Sequence, residues 1–418
     1  MTADKPHILF ITYHLPTNEE PGAMRPWVEA RLLRDTGYRV TVLTSAVHYM
    51  TGQFVGPGRG WCREEIRDGI RILRLWNITD YRRSFHRRIL SYSIFGVLAI
   101  LSAICNVRRV SCIFTASDPF VITPFVLFLI AFVRVPVVVD ERDIYPETAI
   151  ALGYLREKSW MAHGIAYLQT RLRRRAAFLL AATPGIAEYL RQKGFSPDHI
   201  ALLYNGDPYD VTEGTQEIPV TIQQFQLSHT VLIGFMGTLG LVDKIDLILD
   251  TAKELKGYSK IGFLMIGDGE CRLYHMQNAD ARGLDNVLFV GSFPRNQVRT
   301  LMSLCDISLQ THPVGRHFSH TLSSKVLDSL RMGLPTIFCG EGDTARLLNH
   351  ASAGITIPPQ DPAALAKAIL TLSENVELRR FMSKSGQAWF QSNISYEKCL
   401  SVVTLALGIS LQGLGAKP

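Results

Sequence analysis

What the sequence lacks narrows it first. Its seven cysteines (Cys62, Cys105, Cys112, Cys271, Cys305, Cys339 and Cys399) are odd in number, scattered, and include no C-x-x-C pair. That argues against a disulfide framework or a cysteine metal site and suits buried thiols in a reducing compartment. The N-terminus offers no signal peptide, since HILFITY after Lys5 is short and polar residues follow it. The expectation is a cytoplasmic protein. Charge of neither sign dominates: Lys and Arg outnumber Asp and Glu 44 to 37, for a net +7. That excess suits an anionic small ligand or an anionic membrane surface, and it is too modest for a nucleic-acid partner.

One run without charge is long enough to raise the question of a membrane. Ile89 to Val107 is flanked by Arg87, Arg88, Arg108 and Arg109, and its length could just cross a bilayer. Basic residues at both ends, the polar Ser91, Ser93, Ser102 and Asn106, and the strand-like CIFTAS directly after it favour a buried helix. A third reading lays 82–109 against the cytoplasmic face of an anionic membrane, with the protein peripheral to it.

With 418 residues, 47% hydrophobic, and 32 glycines, the chain fits two or three globular domains. HILFITY (7–13) suits a central parallel strand, HLPTNEEPGAMRP a loop, WVEARLLRDTGY an amphipathic helix and RVTVLTSA the next strand. That is the unit of a doubly wound α/β domain, whose ligands bind beyond the carboxyl ends of the strands. Gly22 and Ala23 then face a binding crevice or simply turn the chain, and Arg25 is placed to meet an anion. Asp68-Gly69 in REEIRDGIRILRLW supplies a hairpin turn. DERDIYPET (140–148) collects charge at a strand end, where one or two of Glu141, Arg142, Asp143 and Glu147 face the crevice and the rest pair with one another. The alternation runs to IALLYNG, lapses over 206–228, and restarts with TVLIGFMG, IGFLMIGDG, NVLFVGSF and DISLQT.

His317–Ile337, HFSHTLSSKVLDSLRMGLPTI, is a polar loop entering a short helix. Ser323 or Ser324 is the N-cap, Val326, Leu327, Leu330 and Met332 recur at helical spacing, and Gly333 and Pro335 mark the stop. The start of this helix can hold a phosphate with its exposed N–H groups, Lys325 adding a full charge and Asp328 accepting from a ribose. The alternative is an ordinary loop-to-helix join with a Lys–Asp pair on its surface. His312, His317 and His320 crowd the same region. They share no face of a regular element and no carboxylate joins them, so they read as site-lining side chains, with no metal expected.

These motifs, in order with TPGIAEYL, GFMGTLG and GITIPPQDPAALAKAI, resemble the family 4 glycosyltransferases of the GT-B fold, closest in pattern to the bacterial group that builds cell-envelope glycans. The resemblance spans nearly the whole chain. It implies an α/β protein with two doubly wound Rossmann-like domains facing a central cleft: 1–205 for the acceptor, a linker at 206–228, 229–394 for a nucleotide-diphosphate sugar donor, and 395–418 as a helix returning to the first domain. It implies retaining transfer to a glycan, glycolipid or small-molecule hydroxyl, without metal or other cofactor. Positioning and stabilisation of the diphosphate carry the catalysis. Carried over residue by residue, the donor site comprises Gly237, Thr238, Gly240, Gly267, Gly269, Leu322, Ser323, Ser324 and His317, with Lys325, Asp328 and His320 as catalytic candidates.

The departures are specific. The family pairs two glutamates with seven residues between them, where this chain has His320 and Asp328. Many members clamp the diphosphate with an Arg and a Lys in the loop that here reads GTLGLVDKID, so Thr238 and Asp243 stand in those places, with Lys244 next in line. Two missing cations cost several kcal/mol of the order of magnitude seen for lost charge-assisted contacts unless Arg25, Arg316, Lys244 or Lys325 compensates. A catalytically silent homologue acting as a scaffold, or another GT-B enzyme such as a sugar-nucleotide epimerase, is the alternative these departures keep open.

Overall fold

The structure, a computed structural model, describes residues 5–17, 24–48, 51–56, 60–106, 110–151, 153–209, 218–240, 244–312, 315 and 319–412. The chain divides into two compact units, 1–208 with 396–418, and 209–395. Each has its own parallel sheet and its own core.

In the first unit the order is β1 (His7–Ile11), α1 (Arg25–Asp35), β2 (Arg39–Ser45), β3 (Cys62–Arg67), β4 (Ile70–Leu75), α2 (Phe85–Asn106) and β5 (Val110–Ala116). There follow α3 (Thr123–Val133), β6 (Val137–Glu141), α4 (Glu147–Ala151), α5 (Trp160–Arg175), β7 (Phe178–Ala181), α6 (Pro184–Gln192) and β8 (Ile200–Leu202). The strands align as β3-β4-β2-β1-β5-β6-β7-β8. β1 thus lies where the order reverses, and all neighbours are parallel except the β3–β4 hairpin. Asp68 and Gly69 both take positive φ (50° and 76°), the twist a two-residue hairpin needs.

HILFI, VVVDE and FLLA are buried along their whole length, which is why they read as continuous rather than alternating strands, Asp140 and Glu141 being buried against arginines. Leu9 and Ile11 join one core with Phe95, Val126, Leu129 and Leu172 from α2, α3 and α5. Their neighbours Ile8 and Phe10 turn to the opposite face. The C-terminal helix, α15 below, packs there on β5 to β8 beside α1. Helix starts follow local chemistry: Thr183 accepts from Ile186 N to cap α6, and Ser159 caps α5 through Ala162 N.

The second unit runs α7 (Val220–Ser228), β9 (Val231–Met236), α8 (Ile245–Glu254), β10 (Ile261–Ile266), α9 (Arg272–Ala281), β11 (Val287–Gly291), α10 (Arg295–Met302) and β12 (Ile307–Thr311). It continues with α11 (Ser324–Met332), β13 (Thr336–Cys339), α12 (Asp343–Ala351), β14 (Gly354–Ile357), α13 (Pro362–Glu374) and α14 (Val376–Ile394); α15 (Tyr396–Gln412) closes the first unit. The sheet order is β11-β10-β9-β12-β13-β14, so β9 is the strand at the reversal. The composition of 206–228 reads as connection, yet Val220–Ser228 is a helix. Its Ile222 is buried in a core with Leu232, Met236 and Leu264, so this end of the expected linker belongs to the second unit's packing.

α2 departs from the expected buried helix. Ser91, Phe95, Ala99, Ser102 and Ala103 face the core, but Leu90, Val97, Leu101 and Ile104 are about half exposed. Those four follow the i, i+7, i+11, i+14 spacing of one helical face. α3, packed against α2, likewise exposes Phe128 and Phe132, their rings stacked 6.3 Å apart.

Candidate functional site

In the second unit the carboxyl ends of β9 and β10 carry two glycine loops that run side by side. Gly237 N donates to Ile266 O at 3.0 Å, Leu239 N to Asp268 O at 3.0 Å, and Cys271 N to Leu239 O at 3.0 Å. This proximity is what requires Gly267 and Gly269. A Cβ on Gly267, whose φ is +144°, would lie 1.8 Å from Gly237 O, and one on Gly269 would lie 2.5 Å from Leu239 O. These two glycines, which the resemblance assigns to the donor site, therefore serve loop-against-loop packing. Gly240 shows no such crowding, and Thr238 is exposed.

Over Gly237 stands Lys325. Its Nζ is 2.7 Å from the point a Cβ on Gly237 would occupy, with the Phe235 ring 3.1 Å from the same point. Only glycine at 237 leaves the ammonium that place. Lys325 lies in the first turn of α11. Ser323, at the N-cap, makes no side-chain bond into its own helix, while Ser323 N donates to Thr344 Oγ1 at 3.1 Å. The helix therefore presents its N-terminal turn, with Ser324 exposed and Leu322 buried beneath it. Its other end is closed by Gly333 in the left-handed region. His312, at the end of β12, feels Lys325: burial first, and then the nearby ammonium, push its imidazole down to about 4. It is therefore neutral at physiological pH. His320 is half-buried beside this turn, whereas His317, Arg316 and Asp243 lie outside the described residues.

Asp328, one turn along α11, has partners already. Arg295 Nη2 reaches both carboxylate oxygens at 3.0 and 3.3 Å, and Arg299 Nη2 lies 3.6 Å from one of them. The carboxylate expected to meet a ribose is held by two arginines on one face of α10. The i, i+4 spacing of Arg295 and Arg299 is visible in the sequence; that they meet Asp328 is not.

In the first unit the expected anion contact at Arg25 is corrected. Its guanidinium is buried, donates to Asp140 Oδ2 at 3.0 Å and to Leu203 O at 2.7 Å, and pairs with Glu29 at 2.9 Å. Arg142 turns inward too, onto Asp140 and, at 2.7 Å, Glu29. Burial raises Asp140, but Arg25 and Arg142 outweigh it and hold the carboxyl well below its usual range. Burial and the adjacent Asp140 push Glu29 up to about 8. Arg25 and Arg142 thus act as internal braces between α1 and the end of β6. Glu141 is likewise consumed, by Arg173 at 2.9 and 3.0 Å. Asp143, like Arg142, is half-buried, while Glu147 is exposed and accepts from the Tyr189 hydroxyl at 3.0 Å. Burial, then the charges of Asp118 and Glu141, push Asp143 up to about 7 against the pull of Arg142. Gly22 and Ala23 lie outside the described residues.

A third feature is a surface. α5, which packs against α3, exposes Trp160 and Tyr167, then Arg171, Arg174 and Arg175 toward its C-terminal end. From Tyr81 to Val139 the sequence has seven arginines and one acid, Asp118.

Comparison with known proteins supplies the family. Residues 28–206 match the family described as glycosyl transferase 4-like domain, and residues 230–375 match glycosyl transferases group 1. The O-antigen chain mannosyltransferase C of Escherichia coli is 26% identical over 159 residues, covering 38% of this chain and 41% of that protein. The probable glycosyltransferase WbjE of Pseudomonas aeruginosa is 24% identical over 246 residues, 56% of this chain and 58% of that protein. The chain thus spans about half the length of the curated relatives it matches. Among solved structures, Anabaena HepE in complex with UDP superposes with a TM-score of 0.67 at 16% identity, over 98% of this chain and all of that one. A UDP-forming trehalose-phosphate synthase from Burkholderia vietnamiensis superposes at 0.73 with 12% identity, over 99% of each chain.

Proposed function

The chain belongs to the GT-B glycosyltransferases built from a 4-like half and a group 1 half, and from that premise we propose that it moves a sugar from a nucleoside diphosphate sugar to a hydroxyl of a glycan or lipid-linked glycan, with retention and without metal. The observation that carries the reading is Lys325 over Gly237 at the open turn of α11. A diphosphate lying there meets backbone N–H groups, the positive end of a helix dipole and one ammonium. Charge that builds on the leaving phosphate as the anomeric C–O bond breaks is stabilised where it appears. The acceptor oxygen bonds to the anomeric carbon on the face the phosphate leaves, and its proton passes to the departing phosphate oxygen. Neutral His312 flanks this place as a hydrogen-bonding group rather than as a charge, and half-buried His320 lies beside it.

The O-antigen relative favours a growing envelope glycan as acceptor. The apolar outward faces of α2 and α3, with the arginines of α5, favour one presented at an anionic membrane surface, to which the protein would attach peripherally from the cytoplasmic side. The test incubates the full chain with radiolabelled UDP- and GDP-sugars in EDTA, with bacterial lipid-linked glycans as acceptors. Product whose new linkage keeps the donor's anomeric configuration supports the reading. An inverted linkage, or transfer only after metal is restored, overturns the retaining or the metal-independent part. Donor binding without transfer to any acceptor would favour the scaffold reading.

A further inference from the structure

We infer that Thr344 is a positioning residue for the donor's diphosphate. From the first turn of α12 it holds the segment 319–323 that leads into α11, and so sets how that helix presents its start. The inference rests on the donor site proposed above and adds to it a side chain that acts through another part of the chain.

Three contacts tie the start of α12 to that segment. Thr344, fully buried, donates from Oγ1 to Thr321 O at 3.1 Å and accepts at the same oxygen from Ser323 N at 3.1 Å. One hydroxyl thus satisfies a carbonyl and an N–H together. Arg346 Nη2 donates to Ser319 O at 3.1 Å and is itself held by Asp343 at 2.5 Å. Gly342, the N-cap of α12 with φ at +86°, lies directly against Ser319: a Cβ there would be 2.5 Å from Ser319 Cα and 2.6 Å from its carbonyl oxygen. Only glycine permits that approach.

Ser319, Thr321 and Ser323 are therefore each fixed from α12, with His320 and Leu322 between them. An N-cap hydroxyl ordinarily folds back onto an N–H of its own first turn, which would occupy the groups a phosphate needs. Ser323 makes no such bond. Its carbonyl accepts from Val326 N at 3.1 Å and its N–H is taken by Thr344, so the chain enters α11 at a set angle two residues before Lys325. The anchoring comes from the neighbouring helix, and the start of α11 stays open. The same stretch reaches the other flank of the place. A Cβ on Gly340 would lie 3.1 Å from His312 Cβ, and His312 N donates to Cys339 O at 2.9 Å. A turn already held in this way loses little freedom when an anion arrives.

The experiment titrates UDP and GDP, then uridine and guanosine, into the full chain by calorimetry in EDTA. It compares wild type with Thr344→Val, Thr344→Ser and Thr251→Val. Thr344→Val removes the hydroxyl and keeps the branched shape. Thr251→Val is the control: Thr251 is equally buried and its hydroxyl donates to Leu247 O at 2.8 Å within α8, so the same unit loses a buried hydroxyl bond away from the segment. Thr344→Val is expected to bind diphosphate roughly fivefold or more weakly and nucleoside within about twofold of wild type. Thr344→Ser is expected to restore diphosphate binding, and Thr251→Val to leave it unchanged. Wild-type diphosphate affinity in Thr344→Val would overturn the inference. An equal loss in Thr251→Val, or a parallel loss of nucleoside, would overturn it too and make Thr344 a packing residue only. Should Thr344→Val fail to fold, Arg346→Gln on an exposed side chain carries the test: weaker diphosphate binding with nucleoside unchanged supports the inference, and unchanged diphosphate binding overturns it. These outcomes strike this inference alone, whereas a wild type that binds neither diphosphate removes the donor-site reading and this one with it.

Discussion

Lys325 and Gly237, 88 positions apart in the chain, compete for one point in space: the ammonium lies 2.7 Å from where a Cβ on the glycine would be. Gly237→Ala pushes against the far end of a flexible side chain, which can swing away at little cost to the fold. The expected outcome is a melting temperature within a few degrees of wild type and nucleoside diphosphate affinity down about tenfold. Gly267→Ala is the contrasting case. Its Cβ would meet the Gly237 carbonyl oxygen at 1.8 Å with φ at +144°, so backbone must move, and a loss of about 3 kcal/mol or more is expected. Chemical denaturation of both variants separates the two behaviours.

Arg25 is expected to matter for stability and not for anion binding. Removing one member of a buried ion pair leaves its partner's charge uncompensated, typically about 3–5 kcal/mol. Arg25→Ala therefore lowers the unfolding free energy by about that amount. Because Asp140 is the partner, Arg25→Ala combined with Asp140→Ala is expected to cost less than the two single losses added together.

Two groups give pH dependences of opposite sign. Asp143 titrates near 7 in the folded chain against an ordinary 3.8. Its contribution is fully present below about pH 4 and is lost as pH rises towards 7. Asp143→Asn does not titrate, so its melting temperature gains on wild type between pH 4 and 7 and holds that gain above. His312 titrates near 4 against an ordinary 6.5. Its contribution is present above pH 6.5 and is lost as pH falls to 4, so His312→Asn gains on wild type toward acid. Melting curves across this range check both signs.

How much of this was legible in the sequence depends on range. The fully buried strands, the Asp68-Gly69 turn and the α11 boundaries are written in local pattern, because burial on both faces, positive φ and helix stops each select residue types nearby. Arg25 was misread because its partner Asp140 is 115 residues away, and a loop arginine beside a binding strand looks the same whether braced or open. Gly267 enters the donor site by resemblance alone, and nothing local in the sequence says that the Gly237 loop lies against it. The absence of charge from Ile89 to Val107 was plain, but which side the apolar residues of α2 face depends on where the sheet lies.

The outward faces of α2 and α3 make their own prediction. Burying one phenylalanine side chain in an apolar phase is worth about 1.5–3 kcal/mol. Phe128→Glu with Phe132→Glu is expected to reduce sedimentation with anionic vesicles by tenfold or more while leaving donor affinity unchanged, and neutral vesicles are expected to bind wild type weakly. Equal binding by wild type and variant would remove membrane docking from this face.

The central claim is that the start of α11, through Lys325, holds the donor's diphosphate. The most direct test is calorimetric titration of UDP and of GDP into wild type and Lys325→Ala in EDTA. The account predicts that at least one nucleotide binds wild type without metal. It further predicts that the variant, still folded, binds the same nucleotide about ten- to a hundredfold more weakly, the worth of a charge-assisted contact of roughly 1.5–3 kcal/mol. Equal affinity in Lys325→Ala, or no binding of either nucleotide to folded wild type, would contradict it.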